Sequence, residues 1–230
     1  QMRDLLGGTA LTLIVPALVA APLFFYLANN PGVEVRIGDD GEILTRGPHV
    51  MLGYFRNDEA TARALEGGWF HTGDVGHLDQ DGYLHITDRL KDLLVTAGGK
   101  KVAPQPLESR LKTVKWISEA VMLGDRRPYC VCLIVPNFAV IETEARARGW
   151  KHATRHELLA LPQVRAIYQR EVDKLNADLA PFEQIKRFAL LERDLSQDAG
   201  ELTPTLKVRR RIISQKFEAL IESLYTTTGA

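Results

Sequence analysis

The chain has 230 residues, enough for one large domain or two small ones with a real core. Its 29 Lys and Arg balance 29 Asp and Glu, so no net field draws in nucleic acid or anionic lipid, and no nucleic-acid partner is expected. Two cysteines are too few for a disulfide framework or a complete metal site, which points to a reducing, cytoplasmic compartment.

Residues 1–32 form a hydrophobic leader, and no charged residue occurs from Leu5 to Val33. The run "LTLIVPALVAAPLFFYLA" has about the length of a spanning helix, although Pro16 and Pro22 weaken a helix there. Three readings stay open: a membrane segment, a buried remnant whose packing partners belong to a larger domain, and a cleaved signal.

"VEVRIGDDGEILTRG" (33–47) alternates apolar and polar residues around Asp40-Gly41 and reads as a β-hairpin. "NDEATARALEGG" (57–68) opens on capping residues and closes on glycines, the pattern of a short helix. "VGHLDQDGYLHIT" (75–87) is a second hairpin turning at Asp81-Gly82. A strand at 92–96, a glycine turn at 97–101 and a proline-flagged helix near 104–114 follow. Strands are expected at 119–123, 130–135 and 185–192, and helices at 137–148 and 155–179. The second of these carries Val164, Ile167, Tyr168, Leu175 and Leu179 on one face. The chain should close on one amphipathic helix, "VRRRIISQKFEALIESLY".

The character of the chain changes at residues 88–92, from hairpins to alternating strands and helices, and a domain boundary is expected there. Cys130 and Cys132, two apart in an apolar strand, share one face and read as core thiols. The late basic cluster, Lys207 with Arg209 to Arg211, lacks interleaved aromatics and reads as a solvated helix face or a local phosphate site.

The stretch "HTGDVGHLDQDGYLHITDRLKD" (71–92) carries the chemistry. A carboxylate at Asp74 can accept two hydrogen bonds from a vicinal diol such as a ribose, and the guanidinium of Arg89 is a rigid donor fork for the same sugar. Taken singly, Asp74 reads as a turn residue and Arg89 as a surface arginine. Lys207, likewise, reads on its own as a surface lysine at a helix start.

The segment "GEILTRGPHVMLGYFRNDEATARALEGGWFHTGDVGHLDQDGYLHITDRLKDLLVTAGGKKVAPQPLE", followed far downstream by "ELTPTLKVRR", resembles the AMP-forming acyl-CoA synthetases of the adenylate-forming superfamily. "GGKKVAP" and "LTPTLKVRR" resemble the long-chain fatty acid branch in particular. The resemblance implies an α+β protein: residues 33–90 as the β-rich end of the large AMP-binding domain, and residues 91–230 as the α+β C-terminal cap. It implies a long-chain fatty acid–CoA ligase using ATP and coenzyme A, with magnesium arriving on ATP rather than on ligands of this chain. Lys207 matches the adenylation lysine, Asp74 and Arg89 the ribose ligands, and Trp69 and Thr72 flank that site. Lys91 matches the hinge. Gly98, Gly99 and Lys100 match the turn that approaches the nucleotide and the pantetheine arm. His71 and His85 match no family role, and no metal ligand is expected.

The family's Ser/Thr/Gly-rich phosphate loop, its Tyr-Gly-x-Thr-Glu segment and its acyl tunnel have no counterpart here. The sequence therefore resembles the last third of such a ligase behind an atypical leader, inactive alone for want of a large domain. The alternative is a non-catalytic, membrane-attached or partner-binding remnant of the same family.

Overall fold

The computed structural model describes residues 32–226. The leader read over residues 1–32 lies, apart from Gly32, outside the described residues. Among those described, no helix is long and apolar enough to cross a membrane. The chain divides into two compact units between Lys91 and Asp92.

The first unit is a four-stranded antiparallel sheet in the order β1-β2-β3-β4. Its strands are β1 (Glu34–Ile37), β2 (Glu42–Arg46), β3 (Phe70–Leu78) and β4 (Leu84–Arg89). The two Asp-Gly sequences do make the turns. The amide of Gly41 donates to the Gly38 carbonyl at 2.9 Å, and that of Gly82 donates to the Asp79 carbonyl at 3.1 Å. A short helix, α1 (Asp58–Ala64), lies between β2 and β3; Asn57 caps it through a 3.0 Å bond from the Ala60 amide. Strand β3 starts five residues before the expected hairpin strand, at Phe70 rather than Val75, because it pairs with β2 as well as β4. "HTGD" thus lies inside a strand and not at the mouth of a turn.

The second unit opens on a two-residue ladder of β5 (Leu94–Val95) and β6 (Lys101–Val102). Helix α2 (Pro104–Lys112) follows, with a proline in its first turn where no amide partner is lost. A three-stranded sheet supplies the centre. In it β7 (Ile117–Leu123) is antiparallel to β8 (Cys130–Pro136), and β8 is parallel to β9 (Ile185–Leu190). All seven residues of β8 are buried, as expected of an apolar central strand covered on both faces. Cys130 and Cys132 both lie in this core, and burial pushes the Cys130 thiol up to about 11 and that of Cys132 higher still.

Helices α3 (Phe138–Ala147), α4 (Arg155–Ala160) and α5 (Pro162–Asn176) connect β8 to β9. The single helix expected over 155–179 is two. Leu161 is extended (φ −60°, ψ 129°), as the residue before a proline prefers, and the helix restarts at Pro162. The buried face of α5 is Val164, Ile167, Tyr168, Val172 and Leu175; Leu179 lies beyond the helix end, partly buried against the core. The single closing helix is also two, α6 (Arg210–Lys216) and α7 (Glu218–Thr226), parted at Phe217 (φ −107°, ψ 21°).

Candidate functional site

In the first unit, Asp74 on β3 faces Arg89 on β4 in direct register, and Arg89 Nε lies 3.0 Å from Asp74 Oδ1. The pair is part-exposed, 46% for the arginine side chain and 23% for the aspartate, so both groups remain reachable from solvent. On its other side, toward β2, Asp74 belongs to a bulge. The β2–β3 register slips so that Glu42 pairs with Val75 while Leu44 pairs with His71, leaving Thr72, Gly73 and Asp74 to arch outward.

Three polar groups hold the arch. The Thr72 hydroxyl donates to the Ile43 carbonyl at 2.6 Å and accepts from the Asp74 amide at 3.1 Å. Gly73 takes the left-handed conformation (φ +70°) that a side chain would disfavour. Its amide donates to Glu42 Oε1 at 2.7 Å, while His71 Nδ1 lies 2.7 Å from Glu42 Oε2. Glu42 is nearly buried, and these two bonds engage both of its oxygens. Thr72 therefore shapes the arch through its backbone bonds. Trp69 stands one residue before β3, with the guanidinium of Arg36 4.3 Å and that of Arg46 4.6 Å from its ring centroid. Arg46 is itself held by a two-bond pair to Glu34.

Among the described residues, no group of His, Cys, Asp and Glu is placed to hold a metal ion. His85 pairs with Asp79 at 2.7 Å and stacks on His77 with centroids 5.1 Å apart. Lys91 is exposed in the short 3-10 turn Leu90–Asp92, the last residue of the first unit.

In the second unit, Gly98, Gly99 and Lys100 form the exposed tip between β5 and β6. The Gly99 amide donates to the Thr96 carbonyl at 2.8 Å with φ +73°, and the Lys100 amide donates to the Thr96 hydroxyl at 3.1 Å. This turn is tied to a neighbouring one: the Ala97 amide donates to the Arg127 carbonyl at 2.8 Å, and the Arg126 amide to the Val95 carbonyl at 2.7 Å.

Lys207 is exposed on a tight loop whose base is the bridge between Leu202 and Val208. The Thr203 amide donates to the Lys207 carbonyl at 2.8 Å, and the Lys207 amide donates back to the Thr203 hydroxyl at 3.0 Å. Leu206, just before the lysine, has φ +59°, a left-handed conformation that costs a non-glycine residue about 1–2 kcal/mol. Two residues that hold these loops carried no signal in the sequence: Glu42 under the arch and Glu201 at the foot of the lysine loop. The partners of Glu42 lie 29 and 31 residues away along the chain, so no local pattern could have shown them.

Comparison with known proteins matches this architecture. A long-chain-fatty-acid–CoA ligase of Mycobacterium tuberculosis, FadD15, is 43% identical over 202 residues, 85% of this chain and 33% of that protein. Among solved structures, the adenylation domain of a Mycobacterium chelonae carboxylate reductase shares the fold, with a TM-score of 0.63 and 22% identity over 89% of this chain and 30% of that one. O-succinylbenzoate coenzyme A synthetase from Bacillus subtilis, solved with AMP, has a TM-score of 0.52 at 25% identity and covers 78% of this chain and 33% of its own. The chain spans about a third of the length of the curated relatives it matches. The "AMP-binding enzyme C-terminal domain" family matches residues 91–229, more than half of the sequence, and the chain belongs to that family.

Proposed function

We propose that the chain contributes to an AMP-forming ligation of long-chain fatty acids to coenzyme A. A fatty carboxylate oxygen attacks the α-phosphorus of ATP and expels pyrophosphate; the coenzyme A thiol then attacks the acyl carbonyl and expels AMP. The observation that carries this reading is the Asp74–Arg89 pair, 3.0 Å apart on an arch that three polar groups hold in place. An ionised carboxylate beside a guanidinium fits a ribose diol: the two hydroxyls donate to the carboxylate, and the arginine fork donates to a sugar oxygen. The AMP bound by the 25%-identical Bacillus enzyme supports the same ligand class.

Lys207 supplies the cation of the first step. A carboxylate approaching a polyphosphate builds up negative charge, and an ammonium between them offsets it where it develops. An exposed lysine on a loop with left-handed backbone beside it suits that task. Gly98, Gly99 and Lys100 serve the second step, with a tip that lacks Cβ atoms at two positions where pantetheine must pass. Lys91 is the pivot, and Trp69 and Thr72 shape the ribose site. A large domain supplies the phosphate loop, the magnesium site and the acyl tunnel, and the 230 residues by themselves do not turn over.

The test is a domain exchange. This chain replaces the matching third of the 43%-identical mycobacterial ligase, and ATP–pyrophosphate exchange is followed with a long-chain fatty acid. Exchange that Lys207→Ala removes supports the reading. A folded hybrid that binds ATP but does not exchange contradicts it, as would exchange by the isolated chain at the hybrid's rate. The charge-free run from Leu5 to Val33 favours a second reading, membrane attachment, which carbonate extraction tests: a spanning segment stays in the pellet.

A further inference from the structure

Among the described residues, Glu201 is the one charged residue with no solvent exposure, and the chemistry above makes no use of it. Arg193, just after β9, grips it with two bonds, Nη1 to Oε2 at 2.8 Å and Nη2 to Oε1 at 2.6 Å. The Ser196 amide donates to Oε2 at 3.0 Å, and Lys216, at the end of α6, brings its ammonium to 3.4 Å from Oε1. Lys216 also donates to the Ala199 carbonyl at 2.5 Å. The Arg193 bonds hold the Glu201 carboxyl down to about 2 against the opposing effect of burial, so it is ionised at any working pH.

The backbone of Glu201 is equally committed. Its amide donates to the Ser196 carbonyl at 3.0 Å and its carbonyl accepts from the Arg209 amide at 2.8 Å. The latter bond joins the two segments that lead into and out of the Lys207 loop, next to the Leu202–Val208 bridge. On the far side, Arg210 ties the exit of the loop to the sheet. It donates through Nη2 to Glu108 at 2.5 Å and through Nε to the Met122 carbonyl at 3.0 Å. The loop thus hangs between two anchored charge clusters while its own tip is exposed and left-handed at Leu206.

A buried ion cluster is a poor way to gain stability, since an apolar cluster of the same volume usually does as well or better. It is a good way to fix direction, because each bond specifies an angle as well as a distance. We propose that Glu201 is a positioning residue for Lys207: its carboxylate, clasped by Arg193 and Lys216, roots the 202–208 loop and sets where the ammonium is presented. The proposal rests on the reading of Lys207 as the residue of acyl activation, and predicts that Glu201 matters to the first half-reaction and not to the second.

Two readouts test it. In the full 230-residue chain, Glu201→Gln should speed amide exchange at Thr203 and Lys207 by about tenfold or more while the amides of β8 keep their protection. Arg193→Gln, which removes the two-bond clasp from a half-exposed partner, should do nearly the same, and Lys216→Gln less; these variants serve if the glutamine variant does not fold. In the domain-exchange ligase, Glu201→Gln should lower ATP–pyrophosphate exchange about tenfold or more and leave thioester formation from supplied acyl-adenylate within twofold. Unchanged loop amides, exchange that rises equally in β8, or half-reactions that fall together would each overturn the proposal. If Lys207→Ala leaves pyrophosphate exchange intact, the role assigned to Lys207 fails, whatever the loop amides show.

Discussion

The two units secure their loops by different means. In the first, the buried apolar side chains among the described residues are Ile43, Leu44 and Leu84, and the arch that bears Asp74 is held by Glu42, Thr72 and Gly73. In the second, a continuous apolar cluster surrounds β8, and the Arg193–Glu201 and Arg210–Glu108 pairs hold the foot and the exit of the Lys207 loop. A sheet with little apolar surface buried gains little from the hydrophobic effect, so the position of Asp74 depends on directional polar bonds. The lysine loop has a dense scaffold beneath it, and its polar bonds are left to fix orientation.

The contrast can be broken at several points. Ile134→Ala, at the centre of β8, should cost the second unit about 2–5 kcal/mol in denaturant unfolding, as a large-to-small change in a closed core does. Lys207→Ala should do the reverse, lowering pyrophosphate exchange in the domain-exchange ligase about 10²–10³-fold with no change in the unfolding midpoint. Glu42→Ala should weaken AMP binding by about tenfold, because the Gly73 amide loses its acceptor and the arch relaxes; loss of one such bond costs about 1–3 kcal/mol. The unfolding of the second unit should not respond.

The smallest effect is one of pH. The Arg193 bonds depress the Glu201 carboxyl from an ordinary 4.5 to about 2, so its contribution to stability is complete above the ordinary value and fades as the pH falls toward 2. The stability difference between the wild type and Glu201→Gln should therefore be constant above about pH 5 and shrink below it, measured by urea unfolding. A difference that grows on acidification would mean the carboxyl is not held ionised.

Much of the strand order was legible because turn chemistry is local. Asp40-Gly41 and Asp81-Gly82 specify their hairpins within a few residues, and the run "CVCLIVP" is apolar throughout because both faces of β8 are covered. Helix ends were less so. Pro162 was visible in the sequence, yet the apolar spacing continued through it and suggested one helix where the backbone at Leu161 makes two. The break at Phe217 has no proline or glycine to announce it. At the candidate site, Asp74 and Arg89 could be singled out as residue types, but the register that sets them opposite each other follows a shift in the β3–β4 pairing between Val75 and Gly76, which the sequence did not announce. Glu201 carried no signal, since the groups that clasp it, Arg193 just after β9 and Lys216 on α6, come from outside its own loop.

The central claim is that Asp74 and Arg89 grip the sugar of a nucleotide. It is tested most directly by titrating AMP and its 2′,3′-dideoxy analogue into the isotopically labelled chain while following the Arg89 Nε–H and the Gly73 and Asp74 amides by NMR. AMP should shift those signals and bind at least about tenfold more tightly than the analogue, because hydrogen bonds from the diol to a charged carboxylate contribute about 1.5–3 kcal/mol each; Asp74→Asn should abolish the difference. Equal affinity for the two nucleotides, or saturation that leaves Arg89 unmoved, would contradict the account.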